Sequence, residues 1–105
     1  MPNPTRIEQL KEILELDPKN LLTRYALGME YSGAGQTDDA VKTFQELLTV
    51  NPDYANAYFM AAQALQAAER TDEAKQWLSD GIMAARRSKN AHAEGEMQSM
   101  LDELS

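Results

Sequence analysis

The sequence predicts an all-α fold of six helices paired into αα-hairpins, and three observations predict it. The chain resembles itself at a shift of 34 residues. Its apolar residues recur at spacings of three and four, which place them on one stripe of a helix. Pro, Gly, Asn or Thr then interrupts that stripe about every 15 to 18 residues, where helices would stop and start.

The shift carries core and punctuation together. Ile7 falls on Val41, Leu10 on Phe44, Ile13 on Leu47, Leu14 on Leu48 and Pro18 on Pro52. Further along, Tyr25 falls on Phe59, and Thr37-Asp38-Asp39-Ala40 falls on Thr71-Asp72-Glu73-Ala74. A period of this length that spans two helices is the mark of a stacked repeat.

In chain order, Asn3 reads as an N-cap with Pro4 at the first helical position, so the first helix spans 4 to 16. Asp17-Pro18 stops it, because a residue before Pro is pushed out of the helical region. The second helix spans 20 to 33, and Gly33-Ala34-Gly35 supplies the tight turn after it. Thr37 caps a third helix over 37 to 50, with Asp38 and Asp39 facing the positive end of its dipole. Asn51-Pro52 ends it, and a fourth helix follows over 54 to 68. Thr71, followed by Asp72 and Glu73, caps a fifth over 71 to 87; the sixth spans 90 to 103.

Within the first full unit, Leu27-Gly28, Tyr31, Ala40, Phe44 and Pro52 are spaced L-G-x2-Y, then A-x3-F, then P. This resembles the tetratricopeptide repeat (TPR), whose pattern it matches except at the Trp, where Arg24 stands. The second unit is degenerate. Tyr58 replaces the Trp, Leu65 the Tyr, Leu78 the Phe and Arg86 the Pro, while Ala61-Ala62 stands for Leu-Gly and Ala74 is retained. The resemblance implies a TPR-like αα-hairpin superhelix, a right-handed solenoid, forming one domain over residues 1–105. Its parts are a half repeat at 4–18, repeats at 21–54 and 55–88, and a capping helix at 89–105. Gly28, Ala40, Ala62, Ala74 and Gly81 are expected where helix backbones approach closely. Leu27, Phe44, Leu47, Leu48, Leu65, Leu78 and Ile82 are expected to fill the space around those crossings.

Composition narrows the function classes. The 105 residues hold no Cys, which removes disulfides, thiolate ligands and a Cys nucleophile, and fits a reducing compartment; a cytoplasmic location is the expectation. No apolar run reaches the roughly 20 residues that span a bilayer, so no membrane partner is expected. The net charge is −7, distributed over both halves, and a nucleic-acid partner is not expected without a basic stripe. The one basic cluster, Arg86, Arg87 and Lys89, lies at a helix end; it either interacts with the helix dipole or contacts an anion.

Catalysis has little to stand on. His92 is the single histidine, so neither a metal-ligand set nor a Ser-His-Asp arrangement can be composed around it. The neighbouring acids Asp38-Asp39 and Asp72-Glu73 point in different directions on a helix and suit dipole interaction better than acid–base work. No enzyme activity, cofactor or metal is expected.

The resemblance implies binding instead. In the tetratricopeptide family the first helix of each hairpin lines a concave groove that receives peptide segments. Carrying that pattern across by the 34-residue shift gives Leu22, Tyr25, Met29 and Ser32, then Asn56, Phe59, Gln63 and Gln66, then Asn90, Ala93, Met97 and Met100. Aromatic and Met side chains there offer adaptable apolar contact, and Asn or Gln can bond an extended backbone. The competing reading is that Tyr25, Met29 and Met97 pack against neighbouring repeats. Some members clamp acidic chaperone tails with Lys, Arg and Asn; here the matching positions are Tyr25, Met29, Met60, Asn90 and Glu94, without a cation. Trp77, aligned with Thr43, is expected on or near the convex side, either half-buried or as an exposed contact. The function expected is a non-catalytic protein-interaction scaffold that holds an unidentified protein or peptide partner in its groove. Self-association as a homodimer is the alternative.

Overall fold

The computed structural model describes residues 5–105. Within them the chain forms six helices: α1 Arg6–Leu16, α2 Leu21–Gly33, α3 Thr37–Val50, α4 Ala55–Ala67, α5 Thr71–Arg87 and α6 Ala91–Leu104. They stack into an elongated body of 48 × 28 × 18 Å. The expected cap at Asn3 and Pro4 lies outside the described residues. Inside them, Thr5 opens α1 with a reciprocal capping box: the Glu8 amide donates to Thr5 Oγ1 at 3.1 Å, and the Thr5 amide donates to Glu8 Oε2 at 3.2 Å.

The two expected caps at Thr37 and Thr71 are corrected. Both residues are the first of their helices, and the cap positions belong to Gln36 and Arg70, which make no side-chain cap bond. The turns before them are too short to leave the threonines outside. Gln36 N–H donates back to the Tyr31 carbonyl at 2.9 Å and Arg70 N–H to the Leu65 carbonyl at 2.9 Å, closing the preceding helix with a Schellman turn. The same residue therefore ends one helix and starts the next. The left-handed position these turns require is filled by Gly35 (φ 75°) in the first hairpin and by Glu69 (φ 62°) in the second.

The helices lie in two layers. Sequential helices pack on one another, and in addition the backbones of α2 and α4 and of α4 and α6 come close, whereas those of α1, α3 and α5 stay apart from one another. The layer of α2, α4 and α6 is therefore the tighter, inner one, and α1, α3 and α5 splay apart on the outside. That difference curves the stack.

The core follows the expected assignment. Leu27, Phe44, Leu47, Leu48, Leu65, Leu78 and Ile82 are buried, as are Ala40, Ala62 and Ala74. Each large side chain so buried contributes on the order of 1.5 to 3 kcal/mol. A methyl group on Gly28 would lie 2.6 Å from Phe44 Cε1, and one on Gly81 would lie 2.6 Å from Tyr58 Cβ. These are the two crossings where only Gly fits. The core consists of two clusters, one around Phe44 and one around Leu78, and Tyr58 and Trp77 pack against both. Their rings lie 6.0 Å apart. Trp77 is accordingly half-buried beneath the outer face, the first of its two expected placements.

Arg86 stands where Pro18 and Pro52 end α1 and α3, and it stops nothing. The helix α5 runs 17 residues against 14 for α3, and closes on a third Schellman turn with Lys89 at φ 57°. Ala55 begins α4 34 residues after Leu21 begins α2, but Ala91 begins α6 36 residues after Ala55. The 34-residue register is thus lost before the last helix.

Among the described residues no helix is long and apolar enough to cross a membrane, and no group of three or more His, Asp or Glu side chains is gathered in a way that could hold a metal ion.

Candidate functional site

The inner layer exposes one face of α2, α4 and α6. On α2, Leu22 and Met29 are exposed and Ser32 is half-buried. Tyr25 is half-buried too, with its ring edge-on to Phe44 at 6.0 Å and tilted against Tyr54 at 5.6 Å. Burial, with Tyr54 alongside, pushes its phenol above the usual value. Tyr25 and Met29 therefore separate: the first is partly a packing residue, and the second is free at the surface.

On α4, Asn56 and Gln63 are exposed, and Phe59 and Gln66 are half-buried. Gln66 Oε1 accepts a 3.2 Å bond from the Thr71 hydroxyl, which fixes it at the hairpin turn. Phe59 and Gln63 form one wall of a depression of about 420 Å³ whose other wall is α6, contributed by Glu96, Ser99, Met100 and Glu103. Phe59, Gln63 and Met100 are thus brought together as expected.

Two of the α6 positions expected in the groove are corrected. Met97 is fully buried and Ala93 is 6% exposed; both belong to the Leu78 cluster. Asn90 is the N-cap of α6, its Oδ1 accepting the Ala93 amide at 3.1 Å. The cause is the lost register. Each residue advances about 100° around a helix, so the offset, while leaving Met100 on the depression, carries the Ala93 and Met97 part of the expected groove face into the core. Glu96, Ser99 and Glu103 take its place. The signal that could have revealed them was Arg86 at the Pro position, since nothing there obliges α5 to stop.

Electrostatically the inner face has two parts. Leu22, Tyr25, Met29, Asn56, Phe59 and Gln63 leave the α2–α4 part neutral, while the α6 wall carries Glu96 and Glu103. His92 Nε2 lies 2.5 Å from Glu96 Oε1, at the exposed edge of α6.

A second recess, also about 420 Å³, opens on the outer face between α3 and α5, where Leu48, Tyr58, Trp77 and the exposed Met83 meet Gln76 and Arg87. Arg87 is occupied structurally, donating from Nε to Asp53 Oδ1 at 2.9 Å, and Arg86 donates to Glu94 at 2.8 Å. The two arginines of the basic cluster therefore pair within the fold.

Comparison with known proteins agrees with this geometry. Residues 31–93 match the model of the tetratricopeptide repeat family. The chain is 31% identical over 98 residues to a TPR repeat-containing protein of Pseudomonas aeruginosa, covering 93% of each. It is similar in structure to a tetratricopeptide repeat domain protein of Salinibacter ruber, with a TM-score of 0.76 and 29% identity over 85% of this chain and 90% of that one. A protein of Bordetella parapertussis matches with a TM-score of 0.82 and 26% identity over 97% of this chain and 89% of that one.

Proposed function

The chain belongs to the tetratricopeptide repeat family, whose members mediate protein–protein interactions and are typically non-catalytic; from that premise we propose that it holds an extended segment of a partner protein along the inner face of α2, α4 and α6. One observation carries this reading: Phe59 and Met100 from two different helices wall a single depression, with the amide of Gln63 and the hydroxyl of Ser99 beside them. Apolar surface with a few convergent hydrogen-bonding groups is the composition of a site that seats a side chain and bonds the backbone carrying it. The α2 residues Leu22 and Met29 and the α4 residue Asn56 extend the same face.

The test is capture of partners from the native host by the intact protein and by its Phe59→Ala and Asn56→Ala variants, followed by mass spectrometry. A protein retained by the first and lost by the variants, with all three folded at the temperature of capture, supports the groove. Partners retained equally by all three would move the site elsewhere.

A second reading, self-association, is favoured by one observation. Leu16 is 90% exposed and Leu22 74% exposed, on either side of the α1–α2 turn. Two copies meeting through that end would cover both. Light scattering across a concentration series, repeated on a Leu16→Ser/Leu22→Ser variant, distinguishes a dimer dependent on those residues from a monomer.

A further inference from the structure

We infer that the segment received by the inner groove is basic and apolar: a side chain such as Leu or Met seated between Phe59 and Met100, flanked by Lys or Arg. This rests on the groove reading above.

The charge distribution points to it. The depression is lined by Phe59, Gln63, Glu96, Ser99, Met100 and Glu103, so its only ionisable groups are carboxylates. The arginines at 24, 70, 86 and 87 are each paired with carboxylates away from it, and the pairing partners of Glu96 and Glu103 among the described residues amount to His92 on Glu96 alone. An acidic segment would meet two carboxylates with no counter-charge, whereas a cation would gain both. The chain as a whole carries −7, so encounter with a basic segment is also favoured at a distance.

Spacing adds a geometric requirement. Glu96 and Glu103 are seven residues apart on α6, which places them on one side of the helix about 10.5 Å apart along its axis. Ser99 and Met100 lie between them. An extended segment in the polyproline conformation returns to the same face every three residues, about 9.3 Å on. Lys or Arg at both ends of such a step would reach the two carboxylates, with the intervening apolar residue over Phe59 and Met100.

The experiment titrates the full chain, labelled for amide NMR, with two short synthetic peptides blocked at both ends, one with the core Lys-Leu-Pro-Arg and one with Glu-Leu-Pro-Glu. The expected result is saturable shifts on α4 and α6 with the first peptide and none with the second. That affinity should fall about fivefold or more from low to high salt, and about fivefold or more in a Glu96→Gln/Glu103→Gln variant. Phe59→Ala should remove it. Equal binding of both peptides, lost in Phe59→Ala, would overturn the charge inference and leave the groove reading intact. Shifts confined to the Trp77 recess, or no saturable shift at millimolar peptide, would also overturn the inference. Partner capture with the Phe59→Ala bait then judges the groove separately.

Discussion

Arg24 and Tyr58, 34 residues apart, do the same job in successive repeats: Arg24 Nη2 donates to the Pro18 carbonyl at 2.7 Å, and Tyr58 Oη donates to the Pro52 carbonyl at 2.8 Å. Both stand where the tetratricopeptide pattern places Trp. Each therefore satisfies a carbonyl in the turn just beyond the C-cap of a Pro-terminated helix. They differ in what remains. Tyr58 packs its ring against Trp77, whereas Arg24 pairs with Glu46 and keeps a buried Nε without a partner.

Arg24→Tyr should accordingly be tolerated, and Arg24→Ala should not. The Ala variant loses the carbonyl bond, the ion pair and the packed stem, which together amount to about 1 to 3 kcal/mol. The Tyr variant can restore the carbonyl bond and removes the unpaired Nε. Denaturant unfolding of both, with Glu46→Gln as the measure of the exposed ion pair alone, tests the assignment. A Glu46→Gln loss as large as that of Arg24→Ala would place the effect in the salt bridge instead.

The left-handed residues make a second prediction. Glu69 and Lys89 hold positive φ where Gly35 holds it without strain. Glu69→Gly and Lys89→Gly should each stabilise the fold by about 0.5 to 1 kcal/mol, and Gly35→Ala should destabilise it by about 1 kcal/mol. Melting temperatures read the sign directly. A lower melting temperature in both Gly variants would contradict the turn assignment.

Most of the fold was legible because the features that set it are local. Helical spacing, Gly35, Pro18, Pro52 and the size classes at Leu27, Gly28 and Phe44 each constrain a few neighbouring residues. The part of the site on α2 and α4 was legible for the same reason: the 34-residue shift holds between them. The α6 wall was not. Its orientation depends on where α5 ends, and Arg86 removes the stop without announcing where the next one is. Ser88 and Lys89 supply it through a Schellman turn, in which Lys89 carries no compositional signal of its left-handed conformation. The caps were misplaced by one residue for a related reason, since back-to-back turns leave Thr37 and Thr71 inside their helices.

The corrected register is testable through residues whose roles it exchanges. Met97→Ala should cost about 2 to 5 kcal/mol of stability as a core truncation, and Asn90→Ala about 1 kcal/mol as a lost cap. Asn56→Ala, at an exposed groove position, should stay within about 0.5 kcal/mol. Gly95→Ala should stabilise α6 by about 0.5 to 1 kcal/mol, since a methyl there meets no atom within 4 Å. Thermal unfolding of the four variants checks them together. Neutral Met97→Ala alongside destabilising Asn56→Ala would restore the uninterrupted 34-residue register.

The last prediction is that folding and binding separate between Phe44 and Phe59, the two phenylalanines of the chain. Phe44 is fully buried, with its ring against Gly28 and Tyr25, so truncation opens a cavity that no neighbour can fill; Phe44→Ala should cost about 3 to 5 kcal/mol of stability. Phe59 keeps one side on the inner depression while the other packs on the Leu78 cluster, so Phe59→Ala should cost less stability and about 1 to 3 kcal/mol of binding. The outer-face variant Met83→Ser serves as the control, since its side chain lies on the opposite layer and is exposed. Affinity for a captured partner would be measured at a temperature where all variants are folded. Unchanged affinity in Phe59→Ala together with a loss in Met83→Ser would assign binding to the Trp77 recess. If Phe59→Ala loses affinity only in proportion to its unfolded fraction, Phe59 is a core residue and the inner face has no anchor there.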